Sequence, residues 1–474
     1  MSFQWINKLI KNTSVKNFSV LAFGEIIGRG FNMVTNIVLA RTLAPERYGV
    51  YTMILTYSVI FYTISSLGLR QSVIRAIARH QDNSSTYLKS SLFLRIFGFV
   101  FSLIVFYIYN LFSPTGLSVG FELIMLGVVF MMSLADAFQN VSIGLQRVKF
   151  TSIIDIIISL LMFLTYILLP QNILNLSVVL YLYLSYNFLK VVFYYISISK
   201  NKMITGKGQP LKLDHLSSLF KESFPFYVLV VFSLFTTQLP IIFLKEMGNY
   251  DEVAFFNTAN KLLLPVTLLM NTAMTALFPD LSQQYISDFN AFVRKVKKIV
   301  LILTVLGVFS GICISLFREE IIIILYGEKY IKAKDVMAYQ CWYLVASSFY
   351  SFIGNVLGAT DNQKTLMYIS IVYAVIGMPI LYFFAKYGAI GLGKGYVIVS
   401  VINIGYNIYY FCNSLRKKIS YWYMFANFMV ILLAMLLSNM ISQSGSLFFK
   451  FTFISVISVL IITRYKRVKS LLLD

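Results

Sequence analysis

Histidine and cysteine are scarce in this chain, two of the first and three of the second among 474 residues. His80 and His215 fall in connections between apolar segments, so no histidine is set at membrane depth for a proton relay, a metal or a general base. Cys313, Cys341 and Cys412 are widely spaced, which gives neither a disulfide framework nor metal-ligand spacing; they read as small apolar packing residues. Acidic side chains are few, 19 against 40 Lys and Arg. No glycine-rich phosphate loop with its Lys-Ser/Thr is visible, so the sequence offers no built-in ATPase. Charged residues of any kind make up 12% of the chain, which leaves little for a globular domain.

What is there is apolar. Hydrophobic residues are 58% of the sequence and the mean hydropathy is +0.76, values that read as an all-α polytopic membrane protein. About fourteen stretches have the length of a membrane-crossing helix: 18–40, 48–69, 88–112, 117–139, 153–170, 174–198, 224–244, 253–278, 297–317, 337–358, 366–386, 390–413, 421–440 and 446–463. The first is too long for a signal-peptide core and is expected to remain as a span.

The charge is topological. Starting from an inside N-terminus, inside connections collect about 26 of the Lys and Arg and outside ones about 9. An even number of spans then puts both termini in the cytoplasm. The positive-inside rule accounts for the net charge of +21. A nucleic-acid partner is not expected, because it needs a basic face on a soluble fold.

Residues 1–17, with Phe3, Trp5, Ile6, Leu9 and Ile10 alternating with Lys8 and Lys11, form an expected amphipathic cytoplasmic segment. Leu39–Tyr51 and Leu244–Phe256 share a pattern: a span ends, a short polar hairpin with Pro or Gly turns, and an aromatic-rich helix re-enters. The repeat predicts a six-helix lobe over 18–199, a cytoplasmic linker over 200–223, a second six-helix lobe over 224–413, and two further helices with a basic tail over 414–474. Parallel repeats of this kind, with substrate handled in a central cavity between them, are a transporter plan.

Glu25, Arg29, Asn32 and Asn36 follow steps of four, three and four, which a helix gathers on one face. Arginine near the middle of a span costs about 2.5 to 3.5 kcal/mol on insertion scales, so it belongs to a bundle interior or a wet cavity. The stripe reads as the wall of a polar path or as a structural network. In the eighth span Asn257, Lys261, Asn271 and Thr275 lie close to one face, with Pro265 between them able to free a carbonyl. Each half thus offers one buried cation, and an anion is the natural ligand of the pair. Arg95 and Lys190 are secondary cationic candidates, each able to reach the cytoplasmic interface from about two turns in. Asp136 and Asp155 are expected to pair with Arg147 and Lys149 or with water near the surface.

The segments LARTLAPERYGVY (39–51), SLGLRQSVIRAIAR (66–79), LFPDLSQQY (277–285), LYGEKYIKAKDVM (325–337), LGATDNQK (357–364) and YGAIGLGKGY (387–396), in this order, resemble the Wzx-type polysaccharide lipid-intermediate flippases of the multidrug/oligosaccharidyl-lipid/polysaccharide exporter superfamily. The resemblance implies two six-helix lobes around a central cavity plus two C-terminal helices, and outward flipping of a polyprenyl-pyrophosphate-linked glycan. It implies no enzymatic activity and no cofactor. Arg29 and Lys261 would hold the pyrophosphate, and Asn32, Asn36, Asn257 and Asn271 would replace water around sugar hydroxyls. Glu25 or Asp155 could exchange H⁺ or Na⁺, unless the membrane potential alone drives the cycle. Partners would be membrane lipids and the polymerase and chain-length regulator of the same O-antigen, capsule or exopolysaccharide pathway. The alternatives are a cation-coupled multidrug exporter of the same superfamily and, from another class, a membrane polysaccharide polymerase or ligase. The longest outside loop, about 318–336, is short for the latter.

Overall fold

The computed structural model describes residues 13–201, 203–204, 213–360, 362–415 and 419–442. The last expected span, the basic tail, most of the amphipathic N-terminal segment and residues 205–212 of the linker lie outside the described residues. Among those described, the chain forms fifteen α-helices and no strand. Ten helical stretches are long and apolar enough to cross a membrane. The protein is an all-α, multi-pass membrane protein.

The first two expected spans form one long element, α1 (Thr13–Ser66), interrupted at Ala44, whose backbone sits at φ 60, ψ 164 just before Pro45. A straight helix of 54 residues would measure about 80 Å, far more than the roughly 30 Å hydrocarbon layer. Proline lacks the N–H that would continue the ladder and clashes with the preceding turn. The strained alanine and the proline together divide the element into two spans.

Gly68, at φ 67, ends α1 and starts α2 (Leu69–Arg79). Then come α3 (Ser84–Phe112), α4 (Val119–Gly144), α5 (Val148–Leu168) and α6 (Leu176–Lys200). The seventh expected span is broken into α7 (Leu213–Thr237) and α8 (Leu239–Met247). The second half continues with α9 (Tyr250–Ser287), α10 (Phe289–Leu316), α11 (Arg318–Tyr326), α12 (Ala333–Ala359), α13 (Gln363–Ala385), α14 (Gly388–Ser414) and α15 (Tyr421–Ser442).

The chain divides into two compact units, one ending at Ile242 and the other starting at Phe243. That division falls inside the seventh span, whereas the sequence places it in the linker at 200–223. The reason is α7, which packs on α2. An ideal Cβ at Gly68 would lie 2.5 Å from the backbone nitrogen of Tyr227, so only glycine admits this approach. Arg75 of α2 also meets Glu222 of α7 at 3.0 Å and lies 5.9 Å from the Phe226 ring centre.

Within the first unit, α1 and α3 cross so closely that a Cβ on Gly98 would lie 2.3 Å from the Ser65 carbonyl oxygen. Tyr48, Tyr51 and Tyr57, just past the α1 break, are fully buried. Within the second unit, Trp342, Phe349 and Phe352 of α12, Phe411 of α14 and Phe428 of α15 share one core. α15 is bonded near both of its ends: Tyr423 donates to the Lys297 carbonyl at 2.9 Å, and Arg318 to Asn439 at 3.4 Å. This thirteenth expected span, read from the sequence as an addition outside the repeat, is built into the core of the second unit.

Candidate functional site

Five helices of the first unit bring charges together within about three turns of the ends at Ser84, Gly144, Val148 and Lys200. On α4, Asp136, Gln139 and Asn140 follow steps of three and one, which places them on one face. Asp136 accepts from the guanidinium of Arg95 on α3. Asn140 Nδ2 donates to the same oxygen at 3.2 Å, and the other oxygen accepts from Arg70 Nη1 of α2 at 3.0 Å. The Arg95 side chain is 1% exposed and that of Asp136 6%. Ser91, one turn back on α3, accepts from Arg95 Nε at 3.4 Å.

Gln139 carries the network onward. Its Oε1 accepts from Arg70 Nη1 at 3.4 Å, while its Nε2 donates to Asp155 Oδ2 of α5 at 3.3 Å. The other Asp155 oxygen meets Lys190 Nζ of α6 at 2.7 Å and accepts from the Tyr194 hydroxyl at 3.1 Å. The network therefore has a dry end at Arg95 and Asp136 and an accessible end. At the latter, Asp155 and Lys190 are each 31% exposed and Arg70 47%. Three cations and two carboxylates leave one positive charge in excess.

Such a cluster is costly to bury, and removing one partner leaves a charge that neither water nor protein satisfies. This explains where the structure departs from the sequence reading of these residues. Arg95 does not reach the interface, because Asp136 lies at a matching depth on the neighbouring helix and is itself almost dry. Arg147, expected to pair with an aspartate, instead donates to the Asn201 carbonyl at 2.9 Å. Lys190 is held by Asp155. The charges themselves were legible, Arg95 and Asp136 within expected spans and Asn140 one turn from Asp136, but not which helices would face each other.

The stripe on α1 is described in part. Asn32 donates to Ser159 of α5 at 3.3 Å, and Asn36 to the Asn32 carbonyl at 2.6 Å. Arg29 is exposed, and the Glu25 side chain lies outside the described residues. In the second unit, Asn257 is buried and donates to its own helix at the Val253 carbonyl, 3.0 Å away. Lys261 is half-buried, and the Asn271 side chain lies outside the described residues. The polar groups buried in this unit are largely neutral. Tyr343 and Tyr396 have ring centres 4.8 Å apart, Tyr350 donates to the Ser400 carbonyl at 2.6 Å, and Asn407 to Asn403 Oδ1 at 2.6 Å. Among the described residues no three His, Cys, Asp or Glu side chains are grouped as a metal site.

Comparison with known proteins adds the family and the fold. A family model described as "Polysaccharide biosynthesis protein" matches residues 14–285, and one described as "MatE" matches residues 225–383. Among the curated proteins no match is found. Among solved structures, the lipid II flippase MurJ in an inward closed conformation superposes with a TM-score of 0.65 at 13% identity, covering 88% of this chain and 97% of that chain. An inward-facing multidrug resistance MATE family transporter of the MOP superfamily gives a TM-score of 0.59 at 14% identity, over 82% of this chain and 95% of that chain. A MOP superfamily transporter from Pyrococcus furiosus, described by a binding pocket of reverse polarity, gives 0.56 at 13% identity, over 86% and 98%. At these identities the likeness is one of fold.

Proposed function

Because the chain belongs to the polysaccharide biosynthesis protein family, we propose that it flips polyprenyl-pyrophosphate-linked oligosaccharide units from the cytoplasmic to the outer leaflet of a bacterial inner membrane. The observation that carries this reading is that family match, extending over residues 14–285 of a chain folded like the MOP transporters. The product feeds O-antigen, capsule or exopolysaccharide assembly, with the polymerase and chain-length regulator of that pathway as partners. Both termini are cytoplasmic on the count of basic residues.

The lipid tail stays in the bilayer while sugar and pyrophosphate cross a polar path. Arg29 and Lys261 attract the pyrophosphate, and Asn32, Asn36, Asn257 and Asn271 exchange hydrogen bonds with sugar hydroxyls at modest energy per bond, since water is the competing partner. Moving about two negative charges outward, in the direction favoured by an inside-negative potential of about 100 mV, releases roughly 2 × 2.3 kcal/mol. Glu25 or Asp155 could add H⁺ or Na⁺ exchange. Glycosidase and lectin access to lipid-linked glycan in inverted vesicles tests the reading: the protein must speed removal of glycan from the cytoplasmic face. Equal access with and without the protein contradicts it. Full transport by both Arg29→Ala and Lys261→Ala removes their assignment.

A second reading is favoured by the MatE match over residues 225–383: cation-coupled export of drugs. The excess positive charge of the first unit's network argues against organic cations as cargo. Ethidium efflux from expressing cells, matched to a vector control, separates the two.

A further inference from the structure

The accessible end of the network has the composition of a site already filled from within. Lys190 Nζ is taken up by Asp155 at 2.7 Å, and Arg70 Nη1 by Asp136 at 3.0 Å. Yet the two cations stand half-exposed, at 31% and 47% of the side chain. Gln139 joins them, one amide atom accepting from Arg70 and the other donating to Asp155. The dry end needs Asp136, since Arg95 is 1% exposed and would otherwise be a buried, unpaired charge. Asp155 has no such duty. Its ion pair with Lys190 is open enough to exchange with solvent, and its other partners, Tyr194 and Gln139, are neutral.

Resting on the flippase reading, we infer that Arg70, Gln139 and Lys190 form an anion-binding mouth for the diphosphate group of the substrate, and that Asp155 is its tethered stand-in when no ligand is bound. The charge count supports this: Arg95 and Asp136 offset each other, and once Asp155 is withdrawn Arg70 and Lys190 set two positive charges against about two negative ones on the diphosphate. An arriving diphosphate takes Lys190 and the outward N–H groups of Arg70, and Asp155 is released to Tyr194 and Gln139. Arg is suited to paired hydrogen bonds with phosphate oxygens and Lys to a single mobile contact. The exchange breaks no covalent bond and keeps Asp136 on Arg95 throughout.

This arrangement makes a signed prediction that a structural salt bridge does not. Removing the stand-in strengthens binding, while removing the cation weakens it. Equilibrium binding of radiolabelled inorganic diphosphate and of farnesyl diphosphate is measured on the full chain in nanodiscs of neutral lipid. Asp155→Asn, which keeps the shape and one acceptor, is expected to tighten binding about tenfold by removing the internal competitor. Lys190→Ala and Arg70→Gln weaken it about tenfold, and Lys190→Arg stays within about threefold of the parent. The cation variants test the site even if Asp155→Asn does not fold.

This ordering with inorganic diphosphate assigns the mouth to the anion itself. The ordering with farnesyl diphosphate alone assigns it to a lipid headgroup. Weaker binding in Asp155→Asn, unchanged binding in Lys190→Ala, or binding of neither probe overturns the proposal. Should the vesicle assay fail while this ordering holds, the flippase reading falls and the anion site stands.

Discussion

In the first unit Arg95 and Asp136 meet in an almost dry helix interface and are linked through Arg70 and Gln139 to Asp155 and Lys190. In the second, the interior polar groups include Tyr350, Ser400, Asn403 and Asn407, where Tyr350 donates to the Ser400 carbonyl and Asn407 to Asn403. The ion pairs described there, Lys245 with Glu246 and Lys334 with Glu319, lie near helix ends. Neutral hydrogen bonds are sufficient to join apolar helices, and a well-packed apolar contact often stabilises more than a buried ion pair does. Among the described residues the extended charge network lies in the first unit, and charge held inside a membrane protein points to work done on charge.

The largest effect that can break this contrast comes from Asp136. Asp136→Leu strands Arg95 and is expected to cost about 3–5 kcal/mol, while Arg95→Leu combined with Asp136→Leu recovers most of it. Thermal unfolding of the three proteins in nanodiscs checks the pattern; equal losses in single and double variants would show that the pair itself, and not the orphaned charge, carries the stability. In the second unit, Tyr350→Phe removes one neutral hydrogen bond and should cost about 1–2 kcal/mol by the same measurement. Asn407→Ala belongs to the same class, at about 1 kcal/mol. The smallest effect is expected at Glu222, whose pair with Arg75 is half-exposed, 42% and 54% for the two side chains. Glu222→Gln should change stability by less than about 1 kcal/mol and less still at high salt. A larger loss would make the α2 to α7 contact a latch within the first unit.

The sequence made most helices legible because lipid imposes one rule on every span: a run of apolar residues long enough to cross. Pro45 and the reversal at Leu39–Tyr51 marked the break in α1 correctly, though the polar hairpin contracts to a turn at Ala44. The seventh span was legible in extent but not in allegiance. That α7 packs with α2 depends on a glycine turn at position 68, whose meaning appears only once Tyr227 is beside it. For the site, single-helix periodicity found Arg29, Asn32 and Asn36 on one stripe, and packing then sent Asn32 to Ser159 while Arg29 remained exposed. Arg95, Asp136, Asp155 and Lys190 were visible as charges inside spans. Their pairing was not, because it is set by which helices are neighbours and at what depth, a relation between residues as far apart as 95 and 136.

As proposed, the charged network of the first unit acts on the anionic headgroup of a lipid-linked glycan, whereas Asn403 and Asn407 bond to each other within α14 of the second unit. The initial rate of glycan translocation in inverted vesicles separates the two, read for Lys190→Ala and Asn407→Ala at matched protein levels. At least about a tenfold slower rate is expected for the first and a near-parental rate for the second. A near-parental rate for Lys190→Ala, or equal slowing in both, would contradict the proposal.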